Sequence, residues 1–512
     1  MFSDTHFKDL LVWPNLLVIF VLWLASLVFY RVFLHPLANF PGPKLAAVTR
    51  YYEAYFDVIQ NGQYTFKIAE MHKKYGPIVR ISPYELHVID PAFFEKLYRQ
   101  EGRWNKYAWS LDAFSGKGAM ICSTDHDIHK TRRQPLNSFL SKAKVASQQV
   151  LIRQNVEKLC DRITLFIDSG DTIILGAATS AFARDVATEY IIGRNYNSLD
   201  LEDFNVGMTV LLQGSGRIWR ITKHITWFGP TMKSMPVDWV IKVADAGMKA
   251  FFAYLKETTK DTKELLAQAT SSTPDQKHQR TIVNEIMNSN LPPVEKSFDR
   301  VFDEVVTVTG AGFETIANAL RLIFYHVFSN DEILRTLRVE LRSATKRSSS
   351  DEIDLKTLEQ LPYLTSVIME GLRLSPAIAT RSARIAPDRE LIYGRWRIPA
   401  GTPVGMTTLL MHTDEKLYPD PMCFNPERWM DFDDRKKAEK TFAPFTKGTR
   451  ICIGMHLAWA EIYLVLSTLV QRFDFDFKDV SGKDFECNSD QFIIGTPSNG
   501  VLNATVTSAE IS

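Results

Sequence analysis

The sequence has almost no net charge. Its 512 residues carry 60 Lys and Arg against 59 Asp and Glu, a formal balance of +1. Such a chain offers no electrostatic footprint for a polyanion, so nucleic acid is not an expected partner. Cysteine is scarce as well. The five residues Cys122, Cys160, Cys423, Cys452 and Cys487 are spread thinly and form no C-x-x-C pair. That excludes a zinc ribbon and a disulfide scaffold. There is no internal repeat, no sustained strand–helix alternation and no flavin or nicotinamide fingerprint. A solenoid and a doubly wound nucleotide-binding fold are therefore not expected. A hydrophobic share of 45% with 23% charged residues excludes a disordered chain.

What the sequence does have begins near the N-terminus. Leu10 to Tyr30 contains no charged residue. As a helix this stretch spans roughly 31 Å, the thickness of a bilayer's hydrocarbon core. A buried core helix and a cleaved signal peptide are the alternatives. The flanks are polar and no amphipathic stripe appears, which disfavours the first. Met1 to Asp9 carries Asp4, Lys8 and Asp9 and is not net basic, which disfavours the second. Residues 1–33 are therefore expected to be a membrane anchor. Arg31, Lys44 and Arg50 follow it with no acid before Glu53, which keeps the rest of the chain cytosolic. In a eukaryotic cell that is a single-pass protein of the endoplasmic reticulum membrane. The sequon Asn503-Ala504-Thr505 would then stay unglycosylated. Pro36, Pro41, Gly42 and Pro43 make residues 34–48 a stiff connector or a plain linker. Residues 49–512 form the remaining domain.

That domain reads as mainly α with a small β-sheet, an α+β fold. Ile78–Ser82 and Glu85–Ile89 alternate and are rich in β-branched residues, as in a short hairpin. Leu391–Tyr393 and Trp396–Ile398 flank Gly394-Arg395, a two-residue turn. Helical spacing dominates from about residue 90 to 380, including Val237–Ala269 and Ser297–Ser329. Thr270–Gln279 and Thr345–Ser350 are polar and expected to be exposed loops.

Chemistry concentrates in Phe445-Thr-Lys-Gly448-Thr-Arg450-Ile-Cys452-Ile-Gly454, just before the apolar run Leu457–Leu466. A thiolate at a helix N-terminus sits in the positive end of the helix dipole. Gly448 and Gly454 would admit close approach of a flat ligand, and Arg450 would face an anionic group. A buried structural cysteine is the plain alternative. A metal site from Cys452 and His456 lacks a second Cys/His pair.

The loop resembles the haem-binding segment F-x-x-G-x-R-x-C-x-G of the cytochrome P-450 family at all five fixed positions, and three further patches extend the resemblance to the whole chain. Glu370 and Arg373 match E-x-x-R, and Arg428 lies in Phe424-Asn-Pro-Glu-Arg-Trp429. On their own Glu370 and Arg373 would read as a solvated helix face. The resemblance implies instead a buried clamp that holds the haem loop. Ala311, Gly312, Glu314 and Thr315 fit the oxygen-activation motif, which this chain leaves at Ile316. His129 and Arg133 fall where many members have W-x-x-x-R, with histidine replacing tryptophan. Arg384 matches a second propionate arginine. Arg132 and Arg381 compete with Arg133 and Arg384 for these roles.

The resemblance thus implies the cytochrome P-450 fold and a haem b (iron protoporphyrin IX) ligated by Cys452. The haem would be lined by Phe445, Gly448, Arg450, Ala311, His129, Arg133 and Arg384. Glu314 and Thr315 would manage protons. It implies a monooxygenase that takes electrons from NADPH–cytochrome P-450 reductase, with cytochrome b5 as an optional second donor. Lys447 and Arg450 suggest a basic face for that partner. The Pro-rich connector looks most like fungal members, many of which oxidise terpenoids or polyketides in secondary-metabolite biosynthesis. The expected substrate is an apolar small molecule delivered from membrane lipid. It would meet segments near Lys106–Met120, Leu211–Pro236, Val301–Thr309, Ala377–Thr380 and Gly495–Asn499. The alternatives are a haem-thiolate isomerase, dehydratase or peroxide-dependent enzyme without a reductase, and a haem carrier or sensor without turnover.

Overall fold

A computed structural model describes residues 13–114, 116–235, 237–271, 280–347 and 353–509. The chain opens with helix α1 (Trp13–Phe29), which carries on through a wider turn to Leu34. None of its residues is buried, and Trp13–Leu34, 22 residues in all, is long and apolar enough to cross a membrane. Residues 10–12 of the expected span lie outside the described residues, and the helix ends four residues later than Tyr30. Part of the expected connector is itself helical, over Lys44–Val48.

Strands β1 (Ile78–Ser82) and β2 (Glu85–Val88) pair antiparallel, as the alternation predicts. All nine residues are buried, because both sheet faces are covered. Strand β3 (Asn105–Lys106) stands at the far edge of the same sheet.

Helix α2 (His126–Phe139) starts at Asp125, whose carboxylate accepts from the Asp127 and Ile128 N–H groups at 2.8 and 3.1 Å. Helices α3 (Gln149–Ser169) and α4 (Leu175–Ile192) follow, and α4 is buried on nearly every side. Next come α5 (Val206–Gly214) and α6 (Gly216–His224). The single helix expected over Val237–Ala269 is two, Val237–Val243 and α7 (Ala246–Ser271). The break falls at Asp245, whose carboxylate accepts from the Met248 N–H at 2.8 Å and starts the second helix. Of the two expected polar loops, Thr270, Ser271 and Thr345 end helices; residues 272–279 and 348–350 lie outside the described residues.

Helix α8 (Phe298–Phe328) runs through the middle of the molecule for 31 residues. Helix α9 (Pro362–Leu374) begins with proline at its first position, and Glu340 accepts from its Tyr363 and Leu364 N–H groups at 2.9 and 2.8 Å. Strands β4 (Arg384–Ile385) and β5 (Pro403–Gly405) complete a five-stranded sheet of order β1-β2-β5-β4-β3, in which β2 and β5 are parallel. The Leu391–Ile398 hairpin forms with the predicted register, Tyr393 opposite Trp396, and Gly394 at φ +53. Helix α10 (Met455–Arg472) packs against α8, α9 and α3. The main core lies where these helices meet, around Phe182, Ile323, Leu364 and Leu466. The fold is mainly α with small sheets, and it sets three functional pieces against one another: α8, the start of α10 and the β3–β4 edge.

Candidate functional site

The loop before α10 is held by its own backbone. Thr446 and Gly448 both adopt left-handed φ, +57 and +77. The Cys452 N–H donates to the Phe445 carbonyl at 3.1 Å, and the Phe445 ring lies 6.2 Å from that of Trp459. A Cβ on Gly448 would sit 2.6 Å from the Tyr98 carbonyl oxygen and 2.7 Å from that of Arg99. Gly448 therefore packs against the chain's own backbone, where a side chain would not fit. Gly454 is less crowded, since its Cβ would reach only Cys452 Sγ, at 4.0 Å.

Cys452 Sγ receives the backbone N–H groups of Gly454 and Met455. Burial pushes the thiol pKa up, and those two donors together with Arg133 pull against it. The thiol lies deep within the protein envelope, yet its surface is accessible. A surface that is both must wall an internal space. Among the described residues, the one group of three close metal-ligating side chains is Glu53, Asp57 and His224. Among the described residues, Cys452 and His456 therefore belong to no such group.

Helix α8 supplies a second wall. Gly310 and Ala311 are exposed in the middle of a helix otherwise packed on both sides, and a Cβ on Gly310 would meet nothing within 4 Å. Thr315, one turn on from Ala311, is half-buried and bonds back to the Ala311 carbonyl at 2.7 Å. Glu314 is buried and turned into a polar knot. Its Oε2 accepts from Arg321 Nη2 at 2.6 Å and from Gln213 Nε2 at 2.7 Å, and Arg184 Nη1 stands 3.9 Å from Oε1. Ile316, where the chain leaves the motif, is in the main core.

The third wall is cationic. Arg450 Nη1 and Nη2 donate to the carbonyls of Ser123, Trp104, Thr124 and Asp125 at 2.7–3.2 Å. Its Nε is buried without a partner. Arg384 is buried against the Tyr98 ring, 5.0 Å from its centroid, and bonds only nearby carbonyls. Arg133 Nη1 donates to the Ile451 carbonyl at 2.7 Å. His129 is buried beside them. Lys106, which sequence reasoning placed only at the start of a substrate-facing segment, completes the group; its Nζ donates to the Ile121 carbonyl at 2.9 Å.

Burial, then Arg384 and Arg450, push the Lys106 pKa down to about 7. Burial, then Arg384 and Arg133, push Arg450 down to about 9, with Asp125 pulling back. Burial, then Arg450 and Lys106, push His129 down to about 2. No carboxylate forms an ion pair with Lys106, Arg133, Arg384 or Arg450 among the described residues. The competing arginines are both taken. Arg132 is bidentate to Glu295 at 2.7 and 2.9 Å, and Arg381 is held by Glu53 and Glu85 at 2.7–3.1 Å. A dianionic flat ligand such as a porphyrin with two propionates fits this donor set: an accessible thiol, a helix face stripped to Gly and Ala, and buried or half-buried cations without an ion-pair partner among the described residues.

Beneath the loop, Glu370, Arg373 and Arg428 form one cluster. Arg373 is bidentate to Glu370 at 2.8 and 2.9 Å, and Arg428 Nε donates to the same carboxylate at 2.9 Å. Sequence reasoning missed two further donors, the Trp429 indole at 2.9 Å and the Asn425 N–H at 3.0 Å. Their signal was proximity in sequence, since both lie in the Phe424–Trp429 segment that carries Arg428. Lys447 folds back on the Lys440 carbonyl at 2.8 Å.

Within the segments expected to meet the substrate, Phe114 packs on Trp219 and on Phe492, with ring centroids 6.0 and 4.6 Å apart. Ile378 bridges to Ile493. Met120 and Val305 are part of the main core.

A family model described as "Cytochrome P450" matches residues 51–503. The chain is 39% identical to cytochrome P450 monooxygenase tpcC of Cochliobolus heterostrophus, over 92% of this chain and 89% of the relative. It is 35% identical to cytochrome P450 monooxygenase TRI4 of Fusarium sporotrichioides, over 91% and 89%. It is 34% identical to N-acetyltryptophan 6-hydroxylase ivoC of Emericella nidulans, over 94% of each. A crystal structure of a cytochrome P450, 17% identical, superposes with a TM-score of 0.69 over 88% of this chain and 95% of that one.

Proposed function

The chain belongs to the cytochrome P450 family, as an oxidoreductase of its monooxygenase branch, and from that premise we propose that it oxidises an apolar or aromatic small molecule of fungal secondary metabolism. Two electrons per turnover would come from NADPH through a membrane-bound reductase, with cytochrome b5 optional. The observation that carries the reading is the accessible thiol of Cys452 beside four cations, Arg384 and Arg450 buried and Lys106 and Arg133 half-buried, that form no ion pair among the described residues.

Cys452 would hold the iron of haem b through its thiolate, and the haem would supply the oxygen-activating chemistry of the family. Lys106, Arg133, Arg384 and Arg450 would take the propionates, with His129 as a further donor. The N–H groups of Gly454 and Met455 steady negative charge on Sγ. Thr315 Oγ1 would hold a proton at the oxygen-binding face, and Glu314 would resupply it. The Glu370–Arg373–Arg428 cluster would act at a distance by fixing the loop beneath the haem. Phe114, Trp219 and Phe492 supply an aromatic wall for the substrate. Terpenoids and polyketides suit such a wall. Two relatives are named as hydroxylases of tryptophan and of N-acetyltryptophan, which extends the class to aromatic rings. The N-terminal helix would anchor the enzyme in the endoplasmic reticulum membrane with the catalytic domain cytosolic.

The test is the reduced carbon-monoxide difference spectrum of membranes containing the protein. A Soret band near 450 nm, lost in Cys452→Ala, is the expected result, followed by NADPH-dependent substrate oxidation with added reductase. Folded protein without the band would overturn the reading. A normal band with NADPH-independent turnover would overturn the electron source.

A further inference from the structure

Helix α5 ends beside a cavity of about 360 Å³, and neither Cys452, the exposed face of α8 nor the cationic wall lines it. Its size is within the range of small-molecule sites, about 300–1,000 Å³. The mouth is exposed, at Asn61, Arg217, Asn488 and Asn499. The floor is buried, at Gln213 and Gln491. The junction of α5 and α6 meets the hairpin of Ser489–Gln491 and Ile493–Gly495 at Gly216, where a Cβ would collide with the Gln491 backbone. Arg220, one turn on and buried, ties the walls together. Its Nη1 donates to the Asp490 carbonyl and to Gln491 Oε1, and its Nη2 to Asn61 Oδ1, all at 2.6 Å.

Those bonds take up the carboxamide oxygens of Asn61 and Gln491. Asn488 Oδ1 is taken as well, by the Ser489 hydroxyl at 3.0 Å. What the mouth still offers is chiefly donors. The side chains of Arg217 and Asn499 make no hydrogen bond or ion pair among the described residues. No Asp or Glu lines the cavity. Asp490, beside it in the chain, has its carboxylate committed to Thr65 Oγ1 and the Phe492 N–H, each at 2.9 Å. An unopposed guanidinium among amide donors selects an anionic oxygen ligand, and its planar fork favours a carboxylate. The floor asks for the opposite. Gln213, only 3% exposed, gives its Nε2 to Glu314 and Asn318 at 2.7 and 2.9 Å, which leaves Oε1 buried with no protein partner. A buried acceptor on a cavity wall takes its donor from whatever fills the cavity.

We propose that this cavity is a second ligand site, one that takes a small organic acid with a single carboxylate and an N–H or O–H donor, such as an N-acyl amino acid or a hydroxy acid. The carboxylate lies on Arg217 at the mouth, steadied by Asn499. The donor reaches Gln213 Oε1 at the floor. No covalent step is involved. Occupancy joins α5 and α6 to the hairpin through the ligand.

The test is calorimetric titration of the full-length holoenzyme in detergent with N-acetylglutamine, which carries one carboxylate and amide N–H groups. Three other probes are compared: N-acetylglutamine amide, which lacks the charge, hexanoate, which lacks the donor, and sulfate. The Soret spectrum is recorded throughout, because a ligand entering the haem space would move that band. Arg217→Met and Asn499→Gly probe the mouth. Both residues are exposed, and glycine readily takes the left-handed φ of +48 that Asn499 adopts. N-acetylglutamine should bind at a single site with the Soret band unmoved. The neutral amide and hexanoate should bind about tenfold more weakly or worse. Each variant should keep its haem spectrum and lose about tenfold in affinity for N-acetylglutamine. No saturable binding would overturn the site, as would equal affinity for the neutral amide or in Arg217→Met. Sulfate bound as tightly as N-acetylglutamine would overturn the organic acid as ligand. A moved Soret band that persists in both variants would put the binding in the haem space and overturn the site too. The heat of binding needs no haem, so failure of the haem reading would be seen separately.

Discussion

His412 ties the clamp to the cysteine loop. Its Nδ1 lies 3.0 Å from the Arg373 carbonyl, and its Nε2 accepts from the Ala443 N–H at 3.0 Å, two residues before Phe445. The ring stacks on Phe442 at 5.8 Å. Burial, helped by Arg373 and Lys447, holds its pKa down to about 3. His326, stacked on Phe424, is pushed by burial down to about 4. In the unfolded chain both would protonate near pH 6.5. Their contribution is therefore complete above pH 6.5 and is lost as pH falls toward 4. Each adds a slope of about 1.4 kcal/mol per pH unit in that window. Denaturant midpoints measured against pH should show this fall, and His412→Leu should remove about one proton's worth of the slope. The site residues of the loop, the clamp and the α8 motif were legible because each motif fixes residue types at short spacings. His412 was not, because its partners lie 39 and 31 positions away. Lys106 was hidden too, since a lone lysine in a sequence says nothing about the cations folded against it.

Among elements, the most charged contact joins α6 to the segments on either side of β1 and β2. Lys223, fully buried near the end of α6, bonds Glu53 at 2.9 Å and also Asp57. Arg381 bonds the same Glu53 and Glu85 of β2. The Lys223 ammonium also faces the Trp219 ring, 4.5 Å from its centroid. Removing one partner of such a cluster strands the other's charge in the interior. Lys223→Met should cost about 3–5 kcal/mol, read as a lower denaturant midpoint. Adding Asp57→Asn should recover part of that loss by removing the stranded carboxylate. The aromatic and basic run Arg217–Phe228 can be read from its sequence either as a membrane-surface segment or as a helix end packed on the core. The structure divides it: Trp219, Arg220 and Lys223 are buried, while Ile218 and Trp227 are exposed. Short hairpins were legible where turn residues bracket alternating strands, as at Leu391–Ile398. The two-residue strands β3 and β4 were not, because a pair that short has no periodicity to read.

At the scale of the whole molecule, the N-terminal helix does not hang from a loose tether. Arg80 of β1 donates to the Arg31 carbonyl at 2.8 Å, and its backbone N–H donates to the Pro41 carbonyl at 2.7 Å. Arg31 in turn donates to the Val48 carbonyl and to the Tyr84 hydroxyl. Leu37 and Phe40 are buried, and Phe40 stacks on Trp396 at 4.9 Å. Three prolines announced stiffness in the sequence, but nothing in it revealed what the connector would grip. Deleting residues through Phe29 should release the protein from membranes with its 450-nm band intact. Deleting through Pro43 should also lower its thermal midpoint, because the docked segment goes with the anchor.

This grip bears on how the protein turns. An anchor fused to the sheet cannot swivel beneath it, so in a bilayer the catalytic body would keep one tilt and one height. Of its three axes of tumbling, only spin about the membrane normal would remain.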